Sequence, residues 1–141
     1  MAKKSSFAKF AGPRFKNLVE RSVQEAVAQL DSDLKEGSPV DSGRFKASWF
    51  HAQDRSRVPD LDSVAPDPGP GGKVPPPPAL QPDELDGFAN HIEINNLPYA
   101  TRLCEEGWSE QVDADWFKSI AHRWESGKYL DEAFKKNSNP D

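Results

Sequence analysis

Apolar residues recur every three or four positions in the first part of the chain: Phe15, Leu18, Val19, Val23, Ala26, Val27, Leu30 and Leu34. That spacing forms one stripe along an α-helix, and a helix is predicted over 13–36. Pro13 suits the first helical position, where its missing N–H costs nothing. At the other end Lys35 complements the helix dipole, and Gly37 suits a left-handed position just past the last turn. Pro39 keeps the helix from resuming.

The period then shortens. Residues 48–54, with Trp49 and Phe50, read as a strand of imperfect alternation. Phe88 to Asn95 alternates cleanly. Phe88, Asn90, Ile92 and Ile94 are expected on the buried face, and Ala89, His91, Glu93 and Asn95 on the exposed one. Asn95 and Asn96 supply a turn, and Pro98 opens a short helix with Tyr99 and Leu103 on one face, ended by Gly107. Asp113 is placed to cap a last helix whose apolar face is Trp116, Phe117, Ile120, Ala121 and Trp124. Gly127 is placed to kink or split that helix before Tyr129, Leu130 and Phe134, and a polar tail follows from Lys135.

Residues 56–86 break every pattern. They hold nine of the thirteen prolines, including Pro75 to Pro78, a run that favours polyproline II. A structureless stretch this long is rare inside a compact domain. It is expected to be an excursion between two paired strands, ordered only where it meets a neighbouring subunit, because ordering costs about 1–2 kcal/mol per residue in backbone entropy. The predicted fold is α+β: a long N-terminal helix, a small antiparallel sheet interrupted by the proline-rich excursion, a short helix and a C-terminal helix. Residues 1–12 form a flexible basic arm, 13–136 a single domain and 137–141 a polar tail. Two strands alone make a marginal sheet, so further strands are expected from 56–86 or from an adjacent subunit.

Composition narrows the function. The 141 residues suit one domain, and at 35% hydrophobic the core is small for that length. Four tryptophans and eight phenylalanines compensate in part, since each buries a large area. A net charge of −5 argues against a general nucleic-acid binder. The charge is uneven, however: Lys3, Lys4, Lys9, Arg14 and Lys16 precede the first acid, Glu20. Such an arm can touch phosphate or an acidic neighbouring subunit, or simply be a solvated terminus. The single cysteine, Cys104, excludes an intrachain disulfide and a multi-cysteine zinc site. No apolar run approaches the ~20 residues of a membrane span, and no apolar segment follows the N-terminal charges as in a secretory signal. A soluble protein of a reducing cytoplasm is expected.

Candidate chemistry is sparse. His51, His91 and His122 are widely separated and lack metal-ligand spacing. His91 and Glu93 share a strand face and could form an acid–base pair, but an exposed polar face explains them as well. Cys104 lacks a nearby base and abuts Glu105, which raises a thiol pKa. Asp41 and Arg44 could bind a charged ligand; a turn held by an Asp41 cap and a local ion pair is the simpler account. Trp49 and Trp108 are either core residues or interface anchors, with core the default. No cofactor is expected.

Two strings resemble a known family. Pro39, Val40, Asp41, Ser42, Gly43 and Arg44, followed by Ala47, Ser48 and Trp49, resemble the P-V-D-T-G-x-x-x-x-S-W segment of tailed-bacteriophage tail-completion (neck, head–tail joining) proteins. Asn95, Asn96, Leu97, Pro98, Tyr99, Ala100, Leu103, Glu105 or Glu106, Gly107, Trp108, Ser109 and Gln111 are similar to that family's N-x-x-P-Y-A-x-x-L-E-x-G-x-S-x-Q segment. The strings occur in the family's order, between a first and a last helix. Ser42 stands where the family often has Thr, and Val112, Asp113 and Ala114 replace its usual Ala-Pro and following Gly. The resemblance implies a structural virion subunit without enzymatic activity, assembled in host cytoplasm into a ring, expected to be a hexamer. Its partners would be copies of itself, the adjacent connector or portal-side proteins and tail proteins, with DNA passing through without specific binding. It also implies structural or interface roles for Pro39, Asp41, Gly43, Arg44, Trp49, Asn95, Asn96, Pro98, Tyr99, Leu103, Gly107 and Trp108. Two other readings stay open: a nucleic-acid-binding regulatory module using the basic arm, and a hydrolase using His91 and Glu93.

Overall fold

The computed structural model describes residues 2–54, 63–106, 109 and 112–138, with side chains described from Gly12 onward. The fold is α+β. Helix α1 runs Ala2–Gly37, α2 Arg44–Ala47, strand β1 Trp49–Ala52, β2 Ile92–Asn95, α3 Ala100–Cys104, α4 Trp116–Glu125 and α5 Lys128–Ser138. Among the described residues of the long connection between the strands lies a 3₁₀ turn, Pro82–Glu84.

Helix α1 begins at Ala2 rather than at Pro13, which lies inside it. The stretch read as a flexible arm is therefore a continuation of the helix. Gly12 to Asn17 are all exposed, with Lys16 Nζ 5.4 Å from the centre of the Phe88 ring, and Phe15, counted in the apolar stripe, is 61% exposed. Burial starts about Leu18, and Ser22, Ala26, Val27, Asp31 and Leu34 form the covered face.

The far end of α1 closes differently from the expected left-handed glycine. Gly37 remains helical and is not among the residues with positive φ. What it provides is space: a Cβ there would lie 3.2 Å from the Trp116 ring. Ser38 Oγ donates to Leu34 O at 2.5 Å and satisfies one of the open carbonyls of the last turn.

β1 and β2 pair antiparallel, Trp49 opposite Asn95, Phe50 opposite Ile94, His51 opposite Glu93 and Ala52 opposite Ile92. They form a two-stranded sheet, and the described part of 56–86 adds no third strand. Trp49 is buried and packs with Leu30 and Leu34 of α1. Burying that large ring fixes the parity of the sheet, because neighbours alternate sides. His51, Glu93 and Asn95 follow Trp49 to the inner face, and Phe50, Ile92 and Ile94 are left half-buried on the outer one. The face of β2 expected to be exposed, that of Glu93, is thus turned inward, while the face expected to be buried is only half-buried at Ile92 and Ile94 and carries buried Ala52 opposite Ile92. Phe88 lies outside the strand and is 53% exposed.

The main core gathers Leu34, Phe45, Trp49, Leu97, Ala100, Cys104 and Trp116. Phe45 meets Trp49 and Trp116 edge-on, with ring centroids at 5.8 and 6.1 Å, a favoured arrangement for aromatic pairs. A smaller cluster, Ala26 with Tyr129 and Ala133, joins α1 to α5. Gly127, at φ 77°, separates α4 from α5 and turns the chain back along α1. Tyr129 then donates its hydroxyl to Asp33 Oδ2 at 2.6 Å, and Asn137 Nδ2 donates to Glu25 Oε2 at 2.9 Å.

The described part of the excursion is fastened to its own chain rather than waiting for a neighbour. Val74 N donates to Ser42 O at 2.7 Å, Gln24 Nε2 to Leu85 O at 2.7 Å, and Asp86 N to Gln53 Oε1 at 2.6 Å. The prolines lower the entropy lost on ordering this strap, because their φ is already restricted.

Candidate functional site

The two strings are brought together. Asn95 Nδ2 donates to Phe45 O at 2.9 Å, and Asn95 Oδ1 accepts from Leu97 N at 3.2 Å. One asparagine thus links α2 to the turn that leads into α3. Pro39, Asp41, Gly43 and Arg44 line a surface cavity of about 420 Å³ together with Tyr99, Leu103 and Ser109. Pro39 is buried, Asp41 and Pro98 are exposed, and Asn96 is half-buried. Val40 and Tyr99 are exposed apolar side chains on the same two segments. Gly107, Trp108 and Gln111 lie outside the described residues.

The turn at 41–44 is held by other groups than expected. Ser42 Oγ, not Asp41, accepts from Arg44 N at 3.3 Å. Arg44 does not pair with Asp41; its Nε donates to Ala65 O at 2.8 Å and its Nη1 lies 4.0 Å from Asp67. An arginine fork can reach two acceptors at once, and here both belong to the strap. Gly43 stands at φ 87°, a backbone state that side chains with a Cβ rarely adopt, and a Cβ would approach Val74 O to 2.8 Å. The Asp113 carboxylate accepts from Asp115 N at 2.8 Å, so it shapes the turn while Asp115 takes the N-cap position.

Sequence reasoning missed a second constellation, on the inner face of the sheet. Lys35 Nζ meets Asp31 Oδ2 at 2.7 Å, and the Asp31 side chain is 1% exposed. Asp31 Oδ1 and both Glu93 carboxyl oxygens meet no N–H or O–H donor. Two acceptors in contact are compatible only if one carries a proton. Burial pushes the Glu93 carboxyl up to about 9, reinforced by the Asp31 charge and a hydrogen bond to it, and opposed by Lys35. Glu93 is therefore a neutral acid at pH 7, donating to Asp31.

His51 and His91 sit beside this pair. His51 Nε2 and His91 Nδ1 are 2.9 Å apart, and His91 Nε2 is 2.8 Å from Asp86 O. A carbonyl only accepts, so His91 Nε2 carries a hydrogen and Nδ1 accepts from His51 Nε2–H. Burial, then the neighbouring His91, lowers the His51 pKa. His91 and Glu93, read as an exposed polar face, in fact line a groove.

That groove has a volume of about 240 Å³. Val27, Leu30 and Leu34 of α1 form one wall, and Phe117, Ala121 and Trp124 of α4 the other. Trp49, His91 and Glu93 form the floor. Only the parity set by Trp49 could have pointed to it from sequence.

Cys104 is buried in the core, where burial and then Glu105 push its thiol up to about 12, so it is inert as a nucleophile near neutrality. Among the described residues no three His, Cys, Asp or Glu side chains are grouped to hold a metal ion. Nor, among them, is any helix long and apolar enough to cross a membrane. No protein-family model, curated protein or solved structure matches the chain.

Proposed function

We propose that the chain is a structural subunit of a tailed-phage neck or tail end, one of several identical copies forming a ring that joins or completes the head–tail connection. The observation that carries this reading is the convergence of the two strings. Segments nearly fifty residues apart share one hydrogen bond and one core, with Phe45 of the first and Leu97, Ala100 and Cys104 of the second packed together. Such a junction is a shaped surface, with Val40 and Tyr99 exposed on it. Exposed apolar groups of this kind favour contact with another protein. The two-stranded sheet supports the same reading. Among the described residues each strand pairs on one edge only, and one face of the sheet carries half-buried Phe50, Ile92 and Ile94.

In a closed ring each copy presents one surface to its neighbour and receives a different one. DNA would pass through without specific binding, consistent with a net charge of −5. The test is immunogold labelling of virions with an antibody against the chain, paired with native mass measurement of the purified protein. Labelling at the head–tail junction and a closed oligomer, expected to be a hexamer, support the proposal. Absence from virions, or salt-sensitive DNA binding by a monomer, would replace it with the regulatory reading.

A further inference from the structure

We propose that the proline run of the strap, residues 74–80, is a docking ridge for another protein whose groove is lined by aromatic side chains. The inference goes beyond the neck reading and does not rest on it.

The ridge shows itself in the rhythm of burial. Val74, Pro77 and Leu80 are half-buried, while Pro75, Pro76, Pro78 and Ala79 between them are exposed. The chain turns one side inward at every third residue, which is the repeat of polyproline II. A strand would do so at every second residue, and among the described residues the run joins no sheet. One edge of a three-sided rod, Val74–Pro77–Leu80, therefore rests on the body. The other two edges, Pro75 with Pro78 and Pro76 with Ala79, face solvent.

That division selects the kind of partner. A three-sided rod laid in a groove meets the walls with two edges and leaves the third outside, and here the third edge is the one the chain's own body holds. Proline rings spaced as Pro75 and Pro78 are what aromatic-lined grooves accept from such a rod. A partner that adds a strand does not fit, because four successive prolines offer no N–H for a ladder. Nucleic acid does not fit either: beside exposed Lys73, the exposed charges that follow the run are the acids Asp83, Glu84 and Asp86. Those flanks also set direction. A polyproline rod reads nearly alike from both ends, so the partner's groove is acidic where it meets Lys73 and basic where it meets Asp83 and Glu84.

The ridge is ordered before it is bound. Val74 N is tied to Ser42 O, Lys35 Nζ donates to Pro78 O at 3.3 Å, and Leu85 O accepts from Gln24 Nε2. A segment fixed at both ends and in its middle loses little further freedom on docking.

The experiment titrates isotope-labelled SH3 and WW domains, used as probes of known aromatic grooves, with the full chain and follows their amide shifts. Saturable binding to at least one probe is expected, with the shifts centred on its groove aromatics. Pro75→Ala and Pro78→Ala, on one outward edge, are each expected to weaken that binding roughly fivefold, and Pro77→Ala, on the inward edge, to weaken it less. A free peptide of residues 73–84 is expected to bind no more tightly than the full chain. Binding of the full chain to neither probe, binding of the peptide alone, shifts away from the aromatic groove, or equal effects of Pro77→Ala and Pro78→Ala overturns the docking ridge. Each of those results leaves the neck reading as it stood.

Discussion

Trp49 Nε1 donates to Ser38 Oγ at 2.9 Å, so the last residue of the first string is bonded, in a buried setting, to the residue that precedes the string. Ser38 Oγ in turn donates to Leu34 O. The string is thus a closed loop sewn to the end of α1. Ser38→Ala leaves a buried indole N–H unpaired and is expected to cost about 1–3 kcal/mol. Trp49→Ala removes the ring as well and is expected to cost about 3–5 kcal/mol. Urea unfolding of both variants checks the order; Ser38→Ala as costly as Trp49→Ala would mean that the hydroxyl, not the ring, anchors the loop.

Asn95 makes two hydrogen bonds with different partners, Phe45 O and Leu97 N. Asn95→Ala is expected to lose about 1–3 kcal/mol, and Asn95→Asp to keep the Leu97 bond while setting a carboxylate against the Phe45 carbonyl. Both should speed amide exchange in α3 while α5 stays protected. Uniform loss of protection would contradict a local role.

Gly43→Ala forces a Cβ into a left-handed backbone position and against Val74 O. The conformational penalty alone is about 1–2 kcal/mol. Relieving the contact must lengthen the Val74 N–Ser42 O bond, so limited proteolysis within residues 63–86 is expected to accelerate more than cleavage elsewhere.

Glu93 makes stability depend on pH in an unusual direction. Its folded pKa of about 9 lies above the ordinary 4.5, so the folded state holds more protons between those values. Stability is then full below about 4.5 and is lost as pH rises towards 9, at no more than about 1.4 kcal/mol per unit. His51 acts oppositely: its folded pKa is lowered, so stability falls as pH drops below 6.5. Between 6.5 and 9.0, where the raised Cys104 thiol begins to add a slope of the same sign, the Glu93 slope remains. Glu93→Gln is expected to be more stable than the parent at pH 8 and to flatten the urea midpoint between pH 6.5 and 9. An unchanged slope would place the proton elsewhere.

Most of α1, α3 and the α4–α5 pair were legible because their signals are local, whereas α2 and the first turns of α1 were not. The stripe from Leu18 to Leu34, the break at Gly127 and the Asn95–Asn96 turn each sit within a few residues of their effect. The sheet faces were not legible, since alternation defines two faces without saying which is inward. Trp49 decided that, and its partner strand starts forty-three residues later. The Asp31–Glu93 contact was invisible for the same reason. Asp31 sits in a helix that reads as amphipathic and Glu93 in a strand that reads as half-exposed, and only packing sets one carboxyl on the other. Gly37 shows a third limit: a glycine at a helix end suggests a left-handed turn, but here it makes room for Trp116, far along the chain.

The pairing of α1 with α5 has a consequence for biosynthesis. Helix α1 is translated before the α5 that covers it, so Ala26 and its neighbours stay uncovered by that helix until Tyr129 and Ala133 leave the ribosome. A transcript truncated at Gly127 would yield a nascent chain with that apolar surface bare. Cellular quality control would meet it as a client for chaperones and proteases rather than as a shorter working subunit.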